Sequence, residues 1–235
     1  MDRGYYVQKL SAGRLKRVYA IANPRVQRYL QAEIDHVAGR VKPGDHILEL
    51  GCGYGRVLEP LARIAGRAWG VDNALESLQL YRQEQPSRYL AVMDAAALAF
   101  KDRCFDLVLG VQNFISACKV PPRQLLRECL RVVRPGGCVL LSSYAAEFWP
   151  HRLAWFRQQA QEGLLGPIDE KATGEGVIVC RDGFTATTFT PGAFDDLARS
   201  CEVRPQIYVV DESSVFCEIR VPDAGIETSK RGIQI

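Results

Sequence analysis

With 47% hydrophobic and 24% charged side chains over 235 residues, the chain has apolar material for one full α/β core, or at most two small domains, and large-scale disorder is excluded. Its 30 basic and 27 acidic residues leave a formal charge of +3, too even to imply a nucleic-acid partner. No stretch approaches the ~18 apolar residues of a membrane span, and no signal-type segment follows Asp2 and Arg3, so a soluble, cytoplasmic protein is expected.

Residues 1–45 read as a helical prelude. Asn23 caps a helix with Pro24 in its first turn, and Val26, Tyr29, Leu30, Ile34 and Val37 line one face. A Lys42-Pro-Gly-Asp45 turn leads to a short apolar strand, Ile47, Leu48 and Leu50, which ends in glycines at 51, 53 and 55. A helical pattern follows through Val57, Leu58, Leu61 and Ile64. Strands are expected at 68–72, 89–94, 105–111 and 138–143. Asn73, with Glu76 three residues on, predicts a capping box for a helix carrying Leu75, Leu78 and Tyr81. Pro121-Pro122 opens another helix, with Leu125, Leu126, Cys129, Leu130 and Val133 buried, and Arg134-Pro-Gly-Gly137 stops it. Strand alternating with helix in this way implies right-handed βαβ units and a parallel sheet.

The pattern changes at residue 144. Residues 144–185 carry an amphipathic helix (Phe148, Leu153, Ala154, Phe156) and a Gly-rich, irregular stretch. Thr190-Pro191 begins a capped helix, and β-rich runs at 203–210 and 214–221 predict a closing hairpin. The expected division is therefore a helical lid (1–45), an α/β core (46–143), an insert (144–185), a helix and hairpin completing the core (186–222) and a polar tail (223–235). The eight cysteines contain no Cys-x-x-Cys and no nearby paired histidine, which favours buried free thiols over a metal centre.

The glycine loop is a close-approach turn for a nucleotide-like ligand. It is not the dinucleotide fingerprint Gly-x-Gly-x-x-Gly, because its third glycine comes one residue early and Arg56 stands in the fingerprint's place. Asp72, nineteen residues after Gly53, closes the second strand and suits ribose hydroxyls; Asp94 closes the third and suits an adenine amino group. Each acid could instead only cap the helix that follows it.

Taken together, Glu49-Leu-Gly-Cys-Gly-Tyr-Gly, Gly70-Val-Asp72, Met93-Asp94-Ala95, Phe105-Asp106-Leu-Val and Leu-Arg-Val-Val-Arg-Pro135-Gly-Gly resemble the class I S-adenosylmethionine-dependent methyltransferases. The likeness covers residues 40–145 closely and the terminal hairpin loosely. It implies a Rossmann-like, seven-stranded, mostly parallel sheet with the last strand antiparallel and helices on both faces. It implies S-adenosylmethionine as cofactor, with S-adenosylhomocysteine as product. Glu49, Gly51 and Gly53 would then flank the methionine end, Asp72 the ribose, and Asp94 with Ala95 the adenine. Cys52 and Asn73 fall among the cofactor-binding positions, and Gln112 and Asn113 lie between cofactor and acceptor.

Methyl transfer from a sulfonium needs alignment and exclusion of water, and neither a metal nor a resident base is required. The candidates for acid–base work are His151, Tyr19 and Tyr144, within two aromatic-rich segments that also hold Tyr5, Tyr6, Trp149 and Trp155. The Asn/Asp-Pro-Pro-aromatic pattern of base and glutamine methylation is replaced by Gly110-Val-Gln-Asn-Phe, which favours a small-molecule acceptor over nucleic acid or protein. The rival readings are an RNA or protein methyltransferase, a non-catalytic cofactor-binding subunit and, more remotely, an NAD-dependent oxidoreductase. Oligomeric state is left open.

Overall fold

The computed structural model describes residues 5–223; most of the polar tail and the first four residues of the prelude lie outside them. The prelude is three helices, α1 (Tyr5–Lys9), α2 (Ala12–Ala20) and α3 (Pro24–Ala38). Asn23 caps α3 as the sequence predicts, its Oδ1 accepting the Val26 N–H at 3.0 Å.

The core alternates β1 (His46–Leu50), α4 (Leu58–Ala62), β2 (Arg67–Asp72), α5 (Leu75–Glu84), β3 (Tyr89–Val92), β4 (Phe105–Gly110), α6 (Phe114–Ala117), α7 (Pro122–Val132) and β5 (Val133–Tyr144). The insert holds a 3-10 turn, α8 (Trp149–Gln161) and the two-residue strands β6 (Ile178–Val179) and β7 (Thr185–Ala186). The chain closes with α9 (Pro191–Ser200), β8 (Gln206–Val210) and β9 (Ser214–Arg220).

The main sheet has seven strands in the order β3-β2-β1-β4-β5-β9-β8. β9 lies between β5 and β8 and runs antiparallel to both, while the other pairings are parallel. β1 is flanked by β2 on one side and β4 on the other, so the chain reverses its direction of travel across the sheet there. At such a switch point a crevice opens beyond the carboxyl ends of the strands.

Helices cover both faces. Ile34 and Val37 of α3, Leu58 and Leu61 of α4, and Leu78 and Tyr81 of α5 pack with Ile47 and Leu109. On the other face Leu125, Leu126 and Cys129 of α7 and Phe194 and Leu197 of α9 pack with Leu48 and Val108. Buried on both faces, β1 needs its continuous apolar run. A third core joins the prelude to the insert: Leu10, Val18, Tyr29, Phe148, Trp155 and Phe184 form one cluster above the crevice.

Several sequence expectations shift in detail. The Asn73 capping box does not form, because α5 starts one residue later with Ala74 at its N-cap, whose N–H donates to the Asp72 carboxylate at 2.8 Å. Leu75 is left exposed. α4 is a single turn and a half, with Ile64 beyond it and exposed. β3 ends at Val92, since Met93 and Asp94 turn toward the crevice. All eight cysteines are free; Cys52, Cys129, Cys180 and Cys217 are buried and the other four half-buried. No helix among the described residues is long and apolar enough to cross a membrane.

Gly55 sits at φ +88°, and a Cβ there would lie 2.2 Å from the Tyr81 ring; Gly44 sits at φ +96° with open space around it. Gly55→Ala is therefore expected to destabilise by about 1–3 kcal/mol more than Gly44→Ala in denaturant unfolding, the excess being steric. Equal effects would mean that backbone conformation alone, without the Tyr81 contact, demands glycine at 55.

Candidate functional site

The site is assembled at the carboxyl ends of β1, β2, β3 and β4. After β1 the chain turns through Gly51 (φ +69°), Gly53 and Gly55, and the N–H groups of Gly51 and Cys52 both reach the Val71 carbonyl, at 2.8 and 3.1 Å. A Cβ on Gly51 would penetrate the Phe114 ring, so the loop is pressed against α6. Asp72 ties this loop to the next helix. Its Oδ2 accepts the Gly53 N–H at 2.8 Å while Oδ1 accepts that of Ala74. Burial raises its pKa, and the backbone N–H groups act against that rise. Asp72 thus braces the turn into α5 without capping that helix, and it also lines the cavity wall.

A cavity of about 410 Å³ opens over these strand ends. Gly51, Asp72, Asn73, Asp94, Ala95 and Gln112 line its floor. Asp94 also accepts the Ala96 N–H at 2.8 Å through Oδ1. Glu49, Cys52 and Gly53 lie in an adjoining recess of about 40 Å³, which shares Gly51, Tyr19 and Gln112 with the cavity. Glu49 is 4% exposed, and its Oε2 has no hydrogen-bond partner among the described residues. Burial pushes its pKa up to about 8, with Arg56 acting against the rise and Asp72 adding to it.

Gln112 and Asn113 follow β4 with φ of +57° and +62°, two successive non-glycine residues in the left-handed region. Hydrogen bonds hold that strained corner. The Gln112 N–H donates to Ser142 Oγ at 2.8 Å, Asn113 Oδ1 accepts from Ser143 Oγ at 2.7 Å, and Asn113 Nδ2 donates to the Thr187 carbonyl. Gln112 Oε1 then accepts from Tyr19 Oη at 3.0 Å and from Arg56 Nη2 at 2.6 Å. One amide oxygen thereby joins the prelude, the glycine loop and the end of β4.

The roof is aromatic: Tyr6, Tyr19, Tyr144, Trp155, Phe156 and Phe184. Trp155 Nε1 donates to the Val18 carbonyl at 3.1 Å, and Tyr5 Oη to Asp182 Oδ2 at 2.6 Å, so prelude and insert are stitched together above the cavity. Of the three acid–base candidates, Tyr19 and Tyr144 line the cavity. Burial raises both phenols, Tyr144 to about 12, so neither is a ready proton acceptor at neutral pH. His151 is exposed on α8 and is not among the cavity residues. Among the described residues no cluster of His, Cys, Asp or Glu could hold a metal ion.

Arg56 and Glu33 are among the residues at and behind the site that the sequence did not reveal. Arg56 appears there only as a missing glycine, yet its guanidinium stacks 4.8 Å from the Tyr19 ring centroid and bonds Gln112. Glu33 is fully buried on α3, and its Oε1 accepts from Ser142 and Ser214 at 2.7 and 3.0 Å. Its one signal was an acid on the apolar face of α3, between Leu30 and Ile34.

Comparison with known proteins points the same way. The family described as "Methyltransferase domain" matches residues 48–141. A demethylmenaquinone methyltransferase of Renibacterium salmoninarum is 30% identical over 135 residues, covering 56% of this chain and 54% of the relative. The chain spans about half the length of the curated relatives it matches. A solved S-adenosylmethionine-dependent methyltransferase from Methanosarcina mazei has a TM-score of 0.59 at 20% identity, over 80% of this chain and 97% of that one. The PH0226 protein of Pyrococcus horikoshii reaches a TM-score of 0.68 at 17% identity, over 90% and 100%. At these identities the solved structures establish the fold.

Glu49 titrates far above the 4.5 of an unburied glutamate. The folded state therefore retains a proton that the unfolded chain releases, and the stability this contributes is lost as pH rises from about 4.5 to about 8. Relative to Glu49→Gln, the ligand-free protein is expected to lose thermal stability progressively over that window. Parallel pH profiles for the two proteins would contradict the shift.

Proposed function

We propose that this chain, whose residues 48–141 match the methyltransferase-domain family, is a class I enzyme that transfers a methyl group from S-adenosylmethionine to a small, flat, largely apolar acceptor. The observation that carries this reading is the single cavity that runs from Asp72, Asp94 and Ala95 to the aromatic roof. One end suits an adenosyl group and the other a ring.

The residues present fit the cofactor. S-adenosylmethionine, when bound, supplies an electrophilic methyl group on a sulfonium and carries an amino group. Glu49, with an unpartnered buried oxygen, would hold the methionine end together with Gly51, Cys52 and Gly53. Asp72 and Asn73 would hold the ribose, and Asp94 with the Ala95 N–H the adenine. The charge pattern disfavours a pyrophosphate. The floor presents carboxylates, Arg56 is engaged with Gln112 and the Leu30 carbonyl, and Lys119 with Thr185 at the rim.

Residues of this chain orient and enclose more than they exchange protons. Tyr19, held by Gln112, stands at the junction of the cofactor recess and the acceptor cavity. Its phenol stays protonated with that proton committed to Gln112 Oε1, so its oxygen can accept from an acceptor hydroxyl while its ring faces the substrate. The prelude and the 144–185 insert form the substrate cap, shutting water from the transfer. A roofed cavity of this size suits a small molecule better than a nucleic acid, and the free cysteines suit the cytoplasm. The relative named a demethylmenaquinone methyltransferase supports a ring-bearing acceptor.

Incubated with methyl-labelled S-adenosylmethionine and naphthohydroquinone, the protein is expected to label the ring compound; no transfer to this or other ring acceptors would contradict the reading. Asp72→Ala is expected to weaken S-adenosylhomocysteine binding by about 1–3 kcal/mol, as the ribose loses its charged acceptor. Calorimetry beside a thermal-unfolding control checks this, and unchanged affinity would displace the ribose from Asp72.

A further inference from the structure

The inner face of α8 consists of Arg152, Trp155, Phe156 and Gln159, at helical spacing and all buried. Trp155 and Phe156 are ordinary core residues. The other two bury hydrogen-bond donors that the packing leaves unused: Gln159 Nε2 and Arg152 Nε have no partner among the described residues. Gln159 is 1% exposed and borders the cavity with Nε2 sealed behind its surface, so a rotation of the side-chain amide is needed to present that N–H to a ligand. A buried amide N–H without a partner is destabilising, and leucine or methionine would fill the same space without that penalty. The amide becomes favourable there once a ligand oxygen meets it.

Arg152 is fully buried. Nη1 donates to the Gly176 carbonyl at 2.9 Å and to Thr188 Oγ1 at 2.7 Å, and Nη2 donates to the Ala186 carbonyl at 3.1 Å. The guanidinium lies 4.2 Å from the Tyr144 ring centroid. The charged or ionisable groups that act on it are the phenols Tyr144, Tyr29 and Tyr6; no described carboxylate pairs with it. Buried guanidinium groups ordinarily have a carboxylate partner. Here ring faces and carbonyl oxygens hold the cation, and a positive field remains behind the wall that Tyr6, Tyr144 and Phe156 present to the cavity. Asp72 and Asp94 stand on the floor, so the cavity is negative at the sheet and positive under the roof.

We propose that the roof end of the cavity is a subsite for the carboxylate of an acidic aromatic acceptor, with Gln159 Nε2 donating to one carboxylate oxygen and the unpaired charge of Arg152 selecting the anion. This rests on the reading that the cavity takes a flat small molecule. Gln159 and Arg152 are then specificity determinants, placed away from the glycine loop. A neutral ring carbonyl would use Gln159 but gain little from Arg152.

The test is calorimetric titration, at neutral pH, of the protein saturated with S-adenosylhomocysteine. Three rings of matched size serve as probes: naphthoate, acetylnaphthalene and ethylnaphthalene. Naphthoate is expected to bind about tenfold more tightly than acetylnaphthalene, and ethylnaphthalene more weakly still. Gln159→Leu is expected to lose about tenfold for naphthoate while ethylnaphthalene and S-adenosylhomocysteine binding change less than about twofold. Because Arg152 variants risk misfolding, the naphthoate-to-acetylnaphthalene ratio in the unmodified protein reports on its charge. Equal binding of all three rings overturns the subsite and leaves the flat-acceptor reading intact. Failure of every ring to bind overturns that reading, and the subsite with it. A naphthoate preference that survives Gln159→Leu unchanged removes Gln159 from the subsite.

Discussion

The carboxylate of Asp72, shared between the N–H groups of Gly53 and Ala74, is the constraint on which the site depends. It joins the end of β2 to the turn after β1 and to the start of α5. The three elements that frame the crevice are thereby held by one side chain. Glycine is required on the loop side because φ is positive there, and burial makes the bonds strong by excluding competing water. An acid at a strand end thus builds the floor and leaves lone pairs for a ligand.

A second polar junction connects floor to roof. The Ser142 hydroxyl donates to Glu33 and accepts the Gln112 N–H, and Gln112 Oε1 gathers Tyr19 and Arg56. The left-handed backbone at Gln112 and Asn113 is held by these bonds and by Ser143 and Thr187. Movement of α2 or of the insert would strain this corner, so the roof's position is coupled to the cofactor side. The result is a cavity with unlike ends, acidic beside the sheet and aromatic with a buried cation under the lid.

The strand–helix alternation was legible because β1 to β4 are short apolar runs closed by Gly or Asp, whereas β5 runs from Val133 through Pro135-Gly-Gly137, the stretch read as a helix stop, to Tyr144. Thr190 could be read as the cap of α9 because its hydroxyl has no nearer competitor for the Ala193 N–H. Asn73 failed as a cap because α5 begins one residue later, with Ala74 in the cap position and no side-chain cap. The floor residues were legible as well: Asp72, Asp94 and Gln112 follow strand ends in order, and topology brings such ends together. The polar groups of the roof and junction were not. Glu33 meets serines 109 and 181 residues away, and no periodicity reports such a pairing. Arg152 and Gln159 lie on the buried face of a helix whose apolar stripe they interrupt, and only the cavity beside them gives that interruption a meaning.

The function of the site turns on which ligand the glycine loop holds. Acidic groups at Glu49, Asp72 and Asp94, with Arg56 in place of a glycine, suit a cationic sulfur nucleoside and oppose a pyrophosphate. Parallel calorimetric titrations of the purified protein with S-adenosylhomocysteine and with NAD test this most directly. Saturable binding of S-adenosylhomocysteine with no detectable heat from NAD is the predicted result. Tight NAD binding without binding of the sulfur nucleoside would contradict the account.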